Sequence, residues 1–339
     1  MNLREDLGPP SQPGGANQRT TGSRWVRFAR LAISALLLAW AWNRVDPNSV
    51  SRTMLRADPR WLLASFGVLL AERLVTIAKW WLLLRPLEPS LTFRQVLGIY
   101  WPNNFLGFFL PTGVGLDLLN ARGAVRSGIG IAPAMSSVTL DRAMSLFALG
   151  AVVLFSLLLT TRFMGELTGF VLGIAILFMI VATLMSKPGI VLAACTSELR
   201  SGSVHRRLRR FHVALMSYRA HWLALLLNAG LSLTMQLLRV LEVVFISHAL
   251  GLNASVRDVA AVVPAANALS ALPFSVAAGT GLRENAYLYL FPQVGVGADD
   301  AIAISVIVLA WVVAWIIPGG LWGVVKRRSS QGPQSRSGQ

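Results

Sequence analysis

Long apolar runs alternate along this chain with short polar, basic segments. Six continuous runs occupy residues 25–42, 61–84, 131–160, 163–185, 221–250 and 302–325. A helix needs about 20 apolar residues to cross the hydrocarbon of a bilayer, so each run predicts a spanning helix. Two further stretches are apolar but interrupted. One runs from Val96 and stops at Pro111, before a polar, glycine-containing piece. The other is broken by Pro264, Pro273 and two glycines. These predict broken or re-entrant hairpins at about 96–124 and 259–292. The fold class is therefore an all-α polytopic membrane protein with about eight hydrophobic segments. Residues 1–23 and 326–339 are polar and read as disordered tails, the second one basic. Residues 24–325 form the membrane domain. No signal-peptide n-region and h-region begin the chain, and no small-residue cleavage site follows the first run, so that run is expected to remain as an anchor.

Composition supports lipid as the solvent. Charged residues make up 14% of the chain and hydrophobic ones 54%, against roughly 25% charged in soluble domains. Fibrous, disordered and disulfide-framework classes are excluded, the last because Cys195 is the sole cysteine. The net charge of +16 would suggest nucleic acid in a soluble protein. Here the basic residues are divided among apolar segments and form no single face, so no nucleic-acid partner is expected. Let the amino terminus be cytoplasmic and both broken stretches return to the side they left. The cytoplasmic segments then hold 20 Lys/Arg and the outer ones seven, as the positive-inside rule requires. Both termini are then cytoplasmic. Trp25, Trp42, Trp61, Trp80, Trp81, Trp222 and Trp322 fall near span ends, where indole favours the headgroup layer. The stretch His205–Arg210 is a topology anchor or a patch for anionic lipid.

The two broken stretches resemble each other. Asn104 precedes Leu110-Pro111, Gly113, Gly115 and Asp117. Asn267 precedes Leu272-Pro273, Gly279, Gly281, Arg283 and Glu284. Each copy has Asn, a short apolar run, Leu-Pro, a Gly-x-Gly step and an acid. Three spans separate them, which inverts the second copy. Paired interrupted segments of this kind point to the midplane site of a transporter. A broken helix exposes backbone groups that hydrocarbon tolerates only beside protein or water. Two unrelated Pro/Gly kinks are the alternative.

Charges inside apolar runs add to that picture, because each unpaired one costs at least about 2.5–3.5 kcal/mol at the bilayer centre. Glu72, Arg73 and Lys79 lie in the second run, Asp141 and Arg142 in the third. Arg239 and Glu242 are three residues apart on one helix face and are expected to form an intramembrane ion pair. Acids and bases nearly balance, so they can pair across a cavity or serve only structure. Asp117 and Glu284 also suit a half-helix amino terminus. Gly113, Gly115, Gly279 and Gly281 are turn formers, or let backbone N–H groups approach an anion. With Arg122 and Arg283 they would suit a phosphate headgroup. Asn104, Asn267, Asp117, Asp141, Arg142 and Glu284 complete the candidate substrate site. The four histidines lack zinc-ligand spacing, no phosphate-loop motif is present, and no cofactor or metal is expected.

At these residues the chain resembles the flippase-like transmembrane domain of the lysylphosphatidylglycerol synthase family. Leu110-Pro111 through Gly115, Leu116 and Asp117 is similar to the family's Leu-Pro-x-x-x-Gly-Gly-Asp-x-x-Arg motif. Leu116 stands in place of a Gly and Asn120 in place of the Arg, with Arg122 two residues on. Asp141-Arg142 matches an Asp-Arg inside the next span. Leu272-Pro273 through Arg283-Glu284 is similar to the late Leu-Pro-x-x-x-Gly-Gly-x-Gly-x-Arg-Glu motif, with one extra residue. The resemblance covers about residues 25–325. It implies a multi-pass protein of the bacterial inner membrane that binds or moves phospholipid or lipid-linked anionic substrates between leaflets. Larger members carry a cytoplasmic aminoacyltransferase domain. Such a domain is not seen in the 14 residues after the last run, so enzymatic transfer is not expected. The alternative is a non-transporting subunit or lipid-binding partner of a glycosyltransferase or lipid-modifying membrane enzyme.

Overall fold

The computed structural model describes residues 47–108, 113–159, 213–214, 216–252, 254–270 and 282–330. The expected spans at 25–42 and 163–185, residues 1–23 and 331–339 of the tails, Gly279 and Gly281 lie outside them, whereas residues 326–330 continue the last helix. Among the described residues the structure is helical, with no strand. In chain order the helices are α1 (Pro47–Leu55), α2 (Pro59–Leu84), α3 (Phe93–Phe108), α4 (Gly113–Arg126) and α5 (Ile131–Leu159). After a 3₁₀ turn at Tyr218–His221 come α6 (Trp222–Ala249), α7 (Val256–Ser270), α8 (Leu282–Leu290) and α9 (Ala298–Ser330). Four stretches are long and apolar enough to cross a membrane: Pro59–Leu84, Ile131–Ser156, Tyr218–Ala249 and Ala298–Val325. They coincide with four of the six uninterrupted apolar runs.

Helices α2 and α6 pair antiparallel along their length. Asp58 N–H donates to Ala249 O at 2.8 Å, and the Trp61 and Phe245 rings lie 5.3 Å apart. Further along, Asn228 Nδ2 donates to Lys79 O at 2.8 Å and Tyr218 Oη to Leu83 O at 2.6 Å. Local sequence starts and stops these helices. Asp58 caps α2 by accepting from Arg60 N–H, with Pro59 at the first helical position. Gly251 ends α6 at φ 68°, in a left-handed turn that favours glycine.

The broken stretches become two helix pairs, α3/α4 and α7/α8. Their leading helices are built alike. Thr92 and Gln95 form a capping box at the start of α3, and Ser255 and Asp258 bond reciprocally at the start of α7. Both carry an internal proline, Pro102 and Pro264. Their trailing helices begin at Gly113 and at Leu282.

Two cores divide the bundle, one around each pair. The first joins Leu69, Trp80, Val96, Ala121, Val138 and Ile316. The second joins Val243, Val262, Ala266, Tyr287, Phe291 and Ile304. Helices α5 and α9 contribute to both. Trp80 is a correction to the aromatic pattern, since it is 2% exposed and belongs to the first core. Trp61, Trp222 and Trp322 are exposed. So are Leu63, Leu74, Leu226 and Leu237, which suits a lipid-facing surface.

Candidate functional site

Charged side chains gather where the cores meet. Glu72 stands near the middle of α2 and is 2% exposed. Its Oε1 accepts from Arg239 on α6, at 3.0 Å from Nη2 and 3.1 Å from Nε. Its Oε2 lies 3.3 Å from Arg73 Nε as an ion contact without hydrogen-bond geometry. Thr76 Oγ1, one turn on, also reaches Glu72 Oε1.

The Arg239–Glu242 pair expected from helical spacing is thus corrected: Arg239 binds Glu72 across the helix interface. Antiparallel packing sets the two at one level, and the buried carboxylate would otherwise lack a counter-charge. Glu242 remains buried at 5% exposure with Oε1 unpartnered. It lies within electrostatic range of Glu72, Arg73, Arg239 and Arg283.

Toward the other end of α2, Lys79 is 1% exposed and does not snorkel. Its Nζ lies 2.9 Å from Asp141 Oδ2 on α5 and donates to Ser145 Oγ. Asn228 Nδ2 donates to Asp141 Oδ1 at 3.1 Å, which ties α6 to the same cluster. This shields both charges from hydrocarbon and satisfies most of their hydrogen-bonding capacity.

Each broken pair adds its own ion pair. Arg142 Nε on α5 meets Asp117 Oδ2 on α4 at 2.6 Å, with side chains 45% and 23% exposed. Arg283 Nη2 meets Glu284 Oε1 within α8 at 2.9 Å, with side chains 11% and 9% exposed. Ser305 Oγ on α9 donates to the same Glu284 oxygen at 3.1 Å. Asp117 is within electrostatic range of Asp141 and Lys79, and Tyr287 of Arg283, Glu242 and Glu284. The five acids and five bases named here therefore form one balanced polar layer through the described bundle.

The sequence-derived site residues divide into two groups. Asp117, Asp141, Arg142, Arg239, Glu242, Arg283 and Glu284 join the layer. Asn104 donates to Tyr100 O at 3.1 Å, and Tyr100 is in electrostatic range of Arg73 and Asp141. Gly113 and Gly115 form the first turn of α4, and Asn267 is half-buried on α7. Arg122 is exposed and stands apart from the layer. Asn120, the position where the motif has Arg, is 5% exposed and accepts from Asn103 Nδ2 at 3.1 Å. Two residues is about half a helical turn, so Arg122 cannot occupy the place of residue 120.

Glu72, Arg73 and Lys79 were recognisable as intramembrane charges but not as site members. The neutral residues Thr76, Ser145, Asn228 and Ser305 were missed. Two carried a signal, because Thr76 follows Glu72 and Ser145 follows Asp141 by four residues. Among the described residues no group of three or more metal-ligating side chains occurs.

No curated protein and no solved structure matches the chain. The family model for the lysylphosphatidylglycerol synthase TM region matches residues 27–319, which takes in three of the span-length helices, most of the fourth, both broken pairs and the whole charged layer. This chain is a membrane protein and belongs to the lysylphosphatidylglycerol synthase transmembrane-region family.

Proposed function

We propose that the protein is a lipid translocase of a bacterial inner membrane, with both termini cytoplasmic. It takes a phospholipid or polyprenyl-phosphate headgroup to a midplane site between two inverted broken-helix pairs. The observation that carries this reading is the charge-balanced set of ten acids and bases within the helical bundle, with Glu72, Lys79, Glu242 and Glu284 buried. A structural role alone needs one or two pairs, and apolar packing serves stability at least as well as a buried ion pair. A layer of this extent offers a passing zwitterionic or anionic headgroup replacement partners at each step.

The likeness of α3 and α7 in cap, proline and length supports an inverted repeat, and rocking of one unit against the other would alternate access. Asp141 holds Lys79, and Asp117 and Glu284 hold Arg142 and Arg283 in place when no headgroup is bound. Arg142 and Arg283 exchange those carboxylates for phosphate when one is.

Native mass spectrometry of the detergent-extracted protein tests the reading. A selective phospholipid or polyprenyl-phosphate adduct, lost in Arg283→Gln, is expected. Bulk lipid unchanged by the substitution would refute the headgroup site and favour a non-transporting partner subunit.

A further inference from the structure

Helices α2 and α6 meet along a seam that is polar for much of its length. Their register is set at two points, where Asp58 N–H donates to Ala249 O and Asn228 Nδ2 to Lys79 O. That register brings Thr76 level with Ser232. At about 100° per residue, Glu72, Thr76 and Lys79 share an arc of about 60° on α2, and Asn228, Ser232, Arg239 and Glu242 one of about 80° on α6. The bonds from Asn228 to Lys79 and from Arg239 to Glu72 show that these are the contacting faces. Four buried oxygens on them have no hydrogen-bond partner among the described residues: Asn228 Oδ1, Ser232 Oγ, Glu72 Oε2 and Glu242 Oε1. Both N–H groups of the Asn228 amide are committed, to Lys79 O and Asp141 Oδ1, so its oxygen needs a further donor. Ser136, Ser145, Ser156 and Thr234 each donate to the carbonyl four residues back. The wholly buried Ser232 hydroxyl does not. Adjacent buried polar atoms in this state are where proteins hold ordered water.

We propose that the α2–α6 seam holds a file of water molecules and carries protons between Asp141 and Glu242. The inference goes beyond the translocase reading and does not require it. From Asn228 to Glu242 the orphaned oxygens extend over about 21 Å of helix, most of a hydrocarbon layer of about 30 Å. At one end the Asp141 side chain is 20% exposed, and one turn from Glu242 at the other the Arg239 side chain is 34% exposed. Both ends therefore reach the bundle surface. Lys79, Arg73 and Arg239 match Asp141, Glu72 and Glu242, so the seam has no net charge to repel a proton. The other titratable groups within electrostatic range are Tyr100 on α3, Asp117 on α4, Arg142 on α5, and Arg283 and Tyr287 on α8. A proton arriving at Asp141 forms an O–H bond there as Lys79 Nζ gives one of its own to the first water. The Asp141 proton then restores the ammonium. Along the file each water and the Ser232 hydroxyl accept on a lone pair and pass on their own proton. Glu72 Oε2 and then Glu242 Oε1 take it up and release it. Every step forms one O–H or N–H bond and breaks one. Intramembrane carboxylates linked in this way are the parts of a proton relay.

Proton flux into vesicles tests this. The full chain is reconstituted into phosphatidylethanolamine and phosphatidylglycerol vesicles with an entrapped pH-sensitive dye. A potassium diffusion potential set with valinomycin, interior negative, draws protons inward. Wild-type protein should acidify the interior several-fold faster than protein-free vesicles. Ser232→Val, which replaces the hydroxyl by a methyl group and adds another, should lower the rate several-fold. Ser232→Thr has the same size as the valine variant but keeps the hydroxyl, and should retain most of the flux. Glu242→Gln, of unchanged shape, should lower the rate as Ser232→Val does. Wild-type flux no faster than protein-free vesicles would overturn the inference. So would wild-type rates in Ser232→Val or in Glu242→Gln. Equal losses in Ser232→Val and Ser232→Thr would trace the effect to packing and overturn the relay as well. Lipid movement in the same vesicles is read separately, so its absence beside a hydroxyl-dependent proton flux would refute the translocase reading alone.

Discussion

The two broken helix pairs share a plan but differ in how they close. In the first, the acid of α4 reaches outward: Asp117 pairs with Arg142 on α5, and nearly half of that arginine side chain is exposed. In the second, Arg283 and Glu284 pair within α8, are almost wholly buried and are sealed by Ser305 of α9. Packing differs in the same sense. The first pair docks bulky rings on the glycines of α9, with Trp101 over Gly319 and Phe105 over Gly320. The second is lined by small residues, among them Ala261, Ala265, Ala266 and Ala268. One polar layer thus has a more exposed end and a more buried end.

Breaking the layer between the pairs should have the largest effect. Glu72→Gln leaves Arg73 and Arg239 without their shared carboxylate and should cost about 3–5 kcal/mol, read as a fall in thermal midpoint in detergent. Gly319→Leu comes next. A Cβ there would meet the Trp101 ring at 2.5 Å and its carbonyl oxygen at 2.8 Å. Overpacking at such a contact should cost about 3 kcal/mol. Gly67→Ala has nothing within 4 Å to meet. It should stabilise α2 by up to about 1 kcal/mol, and equal losses at the two glycines would refute the docking described for α3.

The two ion pairs themselves provide the sharper contrast. Ser305→Ala removes a hydrogen bond to the sealed Glu284 carboxylate and should cost about 1.5 kcal/mol. Arg142→Gln acts on the accessible pair. If water lines that side, as a translocation path requires, its cost should stay within about 1 kcal/mol. A loss above about 2.5 kcal/mol would mean that Asp117 faces lipid, and the accessible end would not be a path.

Much of this arrangement is visible in the amino-acid sequence, for reasons of solvent. A lipid-facing helix must be apolar over about 20 residues, so the runs at 61–84, 131–160, 221–250 and 302–325 coincide with helices. The pairs were visible because proline and glycine interrupt a run locally. Partner choice was not visible, because it depends on which helices lie side by side. Spacing along α6 suggested Glu242 for Arg239, whereas antiparallel packing of α2 delivered Glu72. Trp80 was placed at the interface by its nearness to a span end, although its face of α2 turns into the first core. The capping boxes Thr92-x-x-Gln95 and Ser255-x-x-Asp258 were legible and would have strengthened the likeness of the pairs.

The most direct test of the account is reconstitution into vesicles with a trace of headgroup-labelled phospholipid and a membrane-impermeant quencher. Wild-type protein should expose inner-leaflet label well above protein-free vesicles. Arg283→Gln and Asp141→Asn should reduce that rate at least tenfold in protein that remains folded, whereas Arg122→Gln, on the exposed face of α4, should leave it unchanged. Equal rates in the wild type, Arg283→Gln and Asp141→Asn would contradict the claim that the charged layer carries the headgroup.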